Sequence, residues 1–459
     1  MYLTYDHNYW AIDIEGNPIP STRLWCCVCI NVVTKEVVRL VGEQQIKEWF
    51  LSQPRTNKYV AHNMLGYDGP TLNRILGLNL VLGQLIDTMV MSMLFNPSLD
   101  EGHSLEAWGR RVGYPKSKHE DFSGFSDEML VYCERDTELC RRVYVALCAK
   151  MRKENFSETG LELEHKSWFF VKQQQEAGFP FNYKEATVLY AKLQDKLENL
   201  REEIYKTWPP ELKLVKTFAQ ARKKDGSYTK NFLDHQQQYP RVQENNEGGY
   251  YAYDYVEFNL ASPDQRRAKL LELGWKPLPD EYTKPSKNFP NGQAKVTDKG
   301  ELVPSLQRYV EESGKQEVKL IATWLDLNAR ATLLNTWMEA YDHDTGRIHG
   351  SLWLANTLRY KHSNPNTANI PAVRIGRDGI PLRGDAGAYT YEARDLWTCS
   401  DPDNYRLVGV DAKGIQLRVL AHYLNNPEFT EAVLAGDPHS YNQKVGGIRD
   451  RPTAKTLKD

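Results

Sequence analysis

Asp13 and Glu15 stand two residues apart at the end of Tyr9 to Ile14, a run of aromatic and β-branched residues that reads as a β-strand. Side chains alternate across a strand, so both carboxylates leave the same face. Two acids that close repel unless a divalent cation neutralises them. The plainer alternative is a strand end with two solvated acids, and this pair alone is consistent with either. Two further segments add weight to the first reading. Ala61-His-Asn-Met-Leu-Gly-Tyr-Asp68 places Asp68 just after the short strand Tyr59-Val60-Ala61, where a loop can bring it to the sheet edge. Tyr132-Cys-Glu-Arg-Asp136 falls in a helical pattern, and its spacing sets Tyr132 and Asp136 one turn apart on one face. Acids and a phenol from three separated segments are the inventory of two-metal phosphodiester hydrolysis. In that chemistry one metal generates hydroxide, both stabilise the attacking and leaving oxygens, and Tyr132 would hold the water.

A second cluster lies near the end. Arg406 to Val410 reads as a buried strand running into Asp411, followed by a turn and then Gln416 and Arg418. A strand-end Asp is more often a cap than a metal ligand. Arg451 and Lys455 are spaced i, i+4 with Pro452 as first helical residue, so a helix would aim both cations at one target. An isolated pair of this kind is ordinarily surface charge.

The elements that must position these groups follow from pattern and punctuation. A chain of 459 residues exceeds one hydrophobic core, so two to four domains are expected. Its 41% hydrophobic and 26% charged residues fit a soluble globular protein. No apolar run approaches the ~20 residues of a membrane span, and the N-terminus lacks a signal segment, so a cytoplasmic protein without membrane contact is expected. Among the seven cysteines no CxxC pair comes with a second ligand pair, which argues for reduced, mostly buried thiols over a zinc site. A net charge of −2 does not announce a nucleic-acid binder, although clustered metal-binding acids would mask a basic groove.

Leu24 to Val33 and Val37 to Val41 read as further strands, and from Gln45 helices alternate with short strands. This predicts an α/β domain with a mixed sheet, closed by a helix from about Asp127 to Lys150. Residues 157 to 207 predict two long antiparallel helices, broken at Gly178 and Pro180. Residues 208 to 300 read as irregular apart from a helix over Gln265 to Leu273, 303 to 340 as helical, and the chain as β-like from His349. No internal repeat is present.

Asp-Ile-Glu, Ala-His-Asn…Tyr-Asp and Tyr-x-x-x-Asp, in this order, resemble the three exonuclease motifs of the DnaQ-like proofreading nucleases. His103-Ser-Leu-Glu-Ala-Trp-Gly109 between them is similar to the phage-type branch of the family A DNA polymerases. The resemblance implies an RNase H-like 3′–5′ exonuclease domain over residues 1–155, a mainly α thumb and connecting region over 156–345, and a partial α+β palm with the start of the fingers over 346–459. It implies Mg²⁺ or Mn²⁺, with Asp13, Glu15 and Asp136 on a first ion and Asp13 and Asp68 on a second. His62 and Asn63 fall in the second motif, Asn63 against the DNA end.

The stretch from Thr357 to Pro371 is similar to the family A segment along the primer–template minor groove, which implies DNA contacts for Arg359 and Asn369, and likewise for Arg418. Asp411 matches the palm aspartate that holds Mg²⁺ for synthesis. His439, Arg451 and Lys455 match groups on the triphosphate of the incoming dNTP. Gln416 stands where the family usually has the Glu that discriminates against ribonucleotides, Lys413 replaces a small residue, and Leu358 a glycine. Residues 208 to 258 are too short for the full thioredoxin-binding insertion of some phage polymerases, so thioredoxin is not an expected partner.

The expectation is a DNA-directed DNA polymerase piece with a proofreading exonuclease, acting in phage replication in the cytoplasm of an infected bacterium. Asp459 stands at the family's sugar-sensing aromatic position, so a second polypeptide is expected to supply the remaining fingers and palm. The alternatives are a stand-alone exonuclease whose C-terminal half only binds DNA, and a non-catalytic structural subunit. Converging carboxylates argue against the last.

Overall fold

Along Tyr9–Gly16 (β1) the buried Ile12 and Ile14 alternate with the half-buried Asp13 and Glu15, so one strand faces a core on one side and presents acids on the other. β1 pairs antiparallel with Leu24–Asn31 (β2), which pairs antiparallel with Val37–Val41 (β3). After the helix Gly42–Ser52 (α1), Lys58–Ala61 (β4) lies parallel to β1. A single π-helical turn, Met64–Asp68, and Gly69–Leu76 (α2) lead to Leu85–Asp87 (β5), parallel to β4. The five-stranded mixed sheet has the order β3-β2-β1-β4-β5. Thr88–Phe95 (α3), Leu105–Arg111 (α4), Asp127–Lys153 (α5) and Glu158–Ala177 (α6) follow.

Two cores sandwich the sheet. Ile12, Ile14, Cys27 and Cys29 pack with Ile46 and Phe50 of α1, Leu72 of α2 and Trp168 of α6. On the opposite face Cys26, Val28 and Ile30 meet Met129 and Cys133 of α5. The strand alternation therefore aims Asp13 and Glu15 at α5. That helix starts where the Ser126 hydroxyl accepts the Met129 N–H, and it carries Asp127 and Glu128 in its first turn, where the helix dipole favours acids.

Phe179–Pro180 (β6) precedes Tyr183–Thr207 (α7). Both long helices are present as expected, but α7 lies along Gln316–Glu339 (α11) rather than back along α6. The reason is which faces are apolar. Leu189 and Leu193 of α7 pack on Leu327, Leu334 and Trp337 of α11, whereas Leu161 and Trp168 commit α6 to the sheet cores. Each buried leucine contributes about 1.5–3 kcal/mol.

The stretch expected to be irregular contains a second small sheet. Glu211–Phe218 (β7), Lys230–Gln238 (α8), Arg241–Glu244 (β8) and Tyr250–Val256 (β9) form a three-stranded antiparallel layer, order β7-β9-β8, over a core of Ala221, Phe232 and Tyr250. β7 is exposed along nearly its whole length. Pro263–Glu272 (α9), the two-residue strands Thr297–Asp298 (β10) and Glu301–Leu302 (β11), and Pro304–Glu312 (α10) lead into α11.

Tyr341–Asp342 (β12) and Arg347–Ile348 (β13) pair with each other and β13 with β6. Ser351–Leu354 (β14) and Tyr360–Ser363 (β15) make a hairpin held on α6. There the Tyr360 hydroxyl lies 2.8 Å from Ser167 Oγ, and its ring stacks on Trp168 at 5.9 Å. In the hairpin turn Leu358 has φ +59°, the left-handed region where glycine is favoured. Thr390–Asp395 (α12) closes this unit, which runs to Thr398.

The computed structural model describes residues 2–19, 21–298, 301–412, 414–436 and 438–447. A separate unit begins at Cys399 and contains Ile415–Leu424 (α13), Pro427–Ala435 (α14) and Pro438–Val445 (α15). The expected buried strand over Arg406 to Val410 is absent: these residues have no regular structure and are exposed, Val410 at 93%. A strand needs a neighbour for its ladder hydrogen bonds, and among the described residues none pairs with this run. No described helix is long and apolar enough to cross a membrane.

Candidate metal centre and nucleic-acid contacts

The loop bearing Asn63 and Asp68 is fixed by a residue the sequence reading passed over. Asp87 ends β5 and caps α3, and its buried carboxylate accepts four backbone N–H bonds. Two come from Met89 (2.9 Å) and Val90 (3.3 Å) of the helix, and two from Asn63 (3.1 Å) and Leu65 (2.9 Å) of the loop. Burial pushes the Asp87 carboxyl up, and these N–H bonds draw it back. The Asp87 N–H in turn donates to His165 Nε2 at 3.0 Å, and His165 Nδ1 lies 2.8 Å from the Leu161 carbonyl. That pattern needs a neutral imidazole, and burial holds the ring at about 4. Asn63 adopts φ +82°, tolerated by asparagine, and a Cβ at Gly66 would stand 2.2 Å from Asn63 Oδ1, so the loop requires glycine there.

His62 is also structural. Its Nε2 lies 2.8 Å from the His103 carbonyl and its Nδ1 2.8 Å from Thr88 Oγ1, which ties the second motif to the segment opening α4. Burial pushes this imidazole down to about 4, so it stays neutral.

The three motif segments converge. Ligand atoms of Asp13, Glu15 and the Cys133 thiol lie within 4.8 Å of one another, and the Cys133 Sγ donates to the Asp13 carbonyl at 3.4 Å. Asp13 is pushed well up by burial, then by Glu15, Asp68 and Asp136. Burial, with Asp136 beside it, raises Glu15 to about 8. Burial, with Asp87 and Glu15 nearby, raises Asp68 to about 8. Burial also raises Asp136, against the pull of Lys116, whose Nζ stands 2.6 Å from Asp136 Oδ2. Tyr132 hydrogen-bonds Asp136 and is raised to about 12, chiefly by burial.

Hard carboxylate oxygens in this density suit Mg²⁺ or Mn²⁺. Oδ1 of Asp68, of Asp136 and of Asn63 is buried with no hydrogen-bond partner, although buried acceptors are ordinarily satisfied. A cation-binding role accounts for the two carboxylate orphans, so the residues present fit the implied ions.

The structure thus brings Asp13, Glu15, Asp68, Tyr132 and Asp136 together and puts Asn63 on the same loop as Asp68. Arg359 is exposed on the β14–β15 turn, and Asn369 is exposed in a short helical turn, Thr367–Asn369. Asp411 and Gln416 are exposed, with Gln416 and the half-buried Arg418 on α13. His439 falls on α15, its side chain outside the described residues, and Lys413, Arg451, Lys455 and Asp459 also lie outside them. Lys116, Cys133 and Asp87 were missed. Only Asp87 left a signal, as an acid between an apolar strand and a helical run.

A family model for DNA polymerase family A matches residues 226–448. The chain is 26% identical to the DNA-directed DNA polymerase of Escherichia phage T7, over 97% of this chain and 74% of that one. It is also 26% identical to the DNA-directed DNA polymerase of Enterobacteria phage T3, over 87% of this chain and 66% of that one. Its fold is similar to the POL domain of Pol1 from M. smegmatis, solved in complex with DNA primer-template and dNTP. The TM-score is 0.61 at 16% identity, covering 98% of this chain and 68% of that chain.

Two outcomes follow from this geometry. Asp87→Ala strands buried donors that cost about 1–3 kcal/mol each when unpaired, so urea unfolding of the full chain should register a loss of about 3 kcal/mol or more. Glu15 and Asp68 bind protons more tightly folded than unfolded, so their contribution to stability is full below about pH 4 and is lost as pH rises through about 8. Added Mn²⁺ or Mg²⁺ should therefore raise Tm more at about pH 9 than at about pH 6. An equal rise at both would contradict the electrostatics.

Proposed function

We propose that this chain belongs to the phage-type family A DNA polymerases and couples a 3′–5′ proofreading exonuclease to the palm side of a DNA-synthesis site. The observation that carries the exonuclease half is the convergence of Asp13, Glu15, Asp68 and Asp136, with unpartnered buried oxygens on the last two. We read residues 1–155 as an RNase H-like exonuclease domain, 156–345 as thumb and connecting region, and 346–459 as partial palm with the start of the fingers.

Asp13, Glu15 and Asp136 would hold one divalent cation, and Asp13 and Asp68 a second, Mg²⁺ or Mn²⁺. When bound, such a pair supplies an activated water and charge stabilisation for phosphodiester hydrolysis. Tyr132, one helical turn from Asp136, orients the attacking water. Asn63 meets the terminal nucleotide of a single-stranded 3′ end. His62 does not serve as the base, because both ring nitrogens are engaged and the ring stays neutral. It positions the loop instead.

In the synthesis half, Asp411 is the metal-binding palm aspartate, and Gln416, His439, Arg451 and Lys455 are assigned to the incoming dNTP. Arg359, Asn369 and Arg418 contact the primer–template. Asp411 needs a second palm carboxylate and a fingers surface, from further sequence of the same polypeptide or from a second one. A stand-alone exonuclease with a DNA-binding C-terminal half is the other reading, favoured by the exposure of Asp411 and the missing strand before it.

The test of the first half is degradation of single-stranded DNA with Mg²⁺ or Mn²⁺. Asp13→Ala with Glu15→Ala should slow it by about 10³-fold, the scale of losing a group that stabilises developing charge. Equal rates would remove the assignment. For the second half, Asp411→Ala should abolish primer extension by the complete polymerase and leave the nuclease intact. Extension at the original rate would favour the stand-alone reading.

A further inference from the structure

Four carboxylates converge on the exonuclease site, and one basic side chain is delivered into contact with them. Lys116 belongs to no helix or strand. It sits in the segment between α4 and α5, with Nζ 2.6 Å from Asp136 Oδ2 and 5.2 Å from the centre of the Tyr132 ring. The Asp136 side chain is 3% exposed and that of Lys116 29%, so the lysine is the more solvent-facing partner of the pair.

The backbone that carries Lys116 is clamped. The Tyr114 N–H donates to the Gly109 carbonyl at 2.9 Å, and a Cβ at Gly109 would stand 2.9 Å from the Tyr114 carbonyl oxygen and 3.2 Å from the Lys116 nitrogen, so only glycine allows this close approach. From α5, Arg135 Nε donates to the Pro115 carbonyl at 2.9 Å. The guanidinium groups of Arg135 and Arg142 lie 4.4 and 4.1 Å from the Tyr114 ring centre. A surface lysine on a loose loop would need none of this. The base of Lys116 is fixed, whereas its four-carbon stem is intrinsically flexible, as any lysine's is.

A cation at that place does part of what a divalent ion does. It neutralises Asp136, yet it leaves Asp136 Oδ1 and Asp68 Oδ1 without partners. An arriving ion competes with the ammonium for the same carboxylate. We propose that Lys116 is a built-in, displaceable counter-cation, holding Asp136 while no divalent ion is bound and yielding it when one binds. Lys116 is then a positioning residue that keeps the acids together in the metal-free protein and sets how readily ions enter. The inference rests on the metal-dependent reading of this site.

The test compares the full wild-type chain with Lys116→Met, which keeps the length of the side chain, and Lys116→Arg, which keeps the charge. Mn²⁺ binding is read without DNA, from the electron paramagnetic resonance of free Mn²⁺, and Tm is recorded with EDTA and with saturating Mn²⁺. Lys116→Met should bind Mn²⁺ more tightly, by roughly fivefold or more, the low end of ordinary coupling between sites. Its Tm should fall in EDTA and recover with Mn²⁺, and Lys116→Arg should stay near wild type in EDTA. Unchanged Mn²⁺ affinity together with a Tm loss that persists in Mn²⁺ would make Lys116 a purely structural lysine and overturn the proposal. If the wild type itself neither binds Mn²⁺ nor degrades single-stranded DNA, the nuclease reading falls. If it does both and Lys116→Met matches it throughout, the counter-cation alone falls.

Discussion

The buried carboxylate of Asp87 is where the N-terminal sheet and its helices are tied together. A carboxylate out of water is costly unless hydrogen-bonded, and here each N–H it accepts belongs to a backbone that would otherwise be free to move. Two of them hold the start of α3, and two hold the loop that presents Asn63 and Asp68. The amide of Asp87 reaches the other way, to His165 on α6. Strand, loop and two helices thus meet at one residue that touches no ligand in the proposed chemistry. On the loop so held, Asp68 keeps one buried carboxylate oxygen, Oδ1, without a partner.

The sheet, the α5 helix and the acid cluster were legible in the sequence because each rests on a period. Asp13 and Glu15 obey the two-residue repeat of a strand, and Tyr132 and Asp136 the turn of a helix. Lys116, Cys133 and Asp87 were not, since their roles come from contacts between segments distant in the chain. The same distinction accounts for the errors. β7 lies in a stretch punctuated by Pro209, Pro210, Gly248 and Gly249, which reads as irregular, and the run Arg406 to Val410 is apolar enough to read as a buried strand although it is exposed and nothing pairs with it among the described residues. The expectation that α6 and α7 pair with each other followed from their adjacency, whereas the buried leucines of α7 belong with α11.

Leu358 bears on the resemblance directly. The resemblance leads one to expect glycine at this position, and the turn adopts the backbone region that glycine prefers. Leucine in that region costs roughly 1–2 kcal/mol, which the surrounding hairpin must offset. Tyr360 and Trp353, both packed on Trp168, are the groups that can do so.

Trp168 has a mechanical consequence. One indole, 0% exposed, fills the core under β1 and also forms the floor on which the β14–β15 hairpin stacks. Prying the hairpin from the sheet would bare that ring to water, at a cost of several kcal/mol. Sheet and hairpin are thus one lever rather than two pieces joined by a hinge. The separation between the acids at the end of β1 and the Arg359 turn is therefore set like a gauge, so whatever spans the two must adapt its own reach.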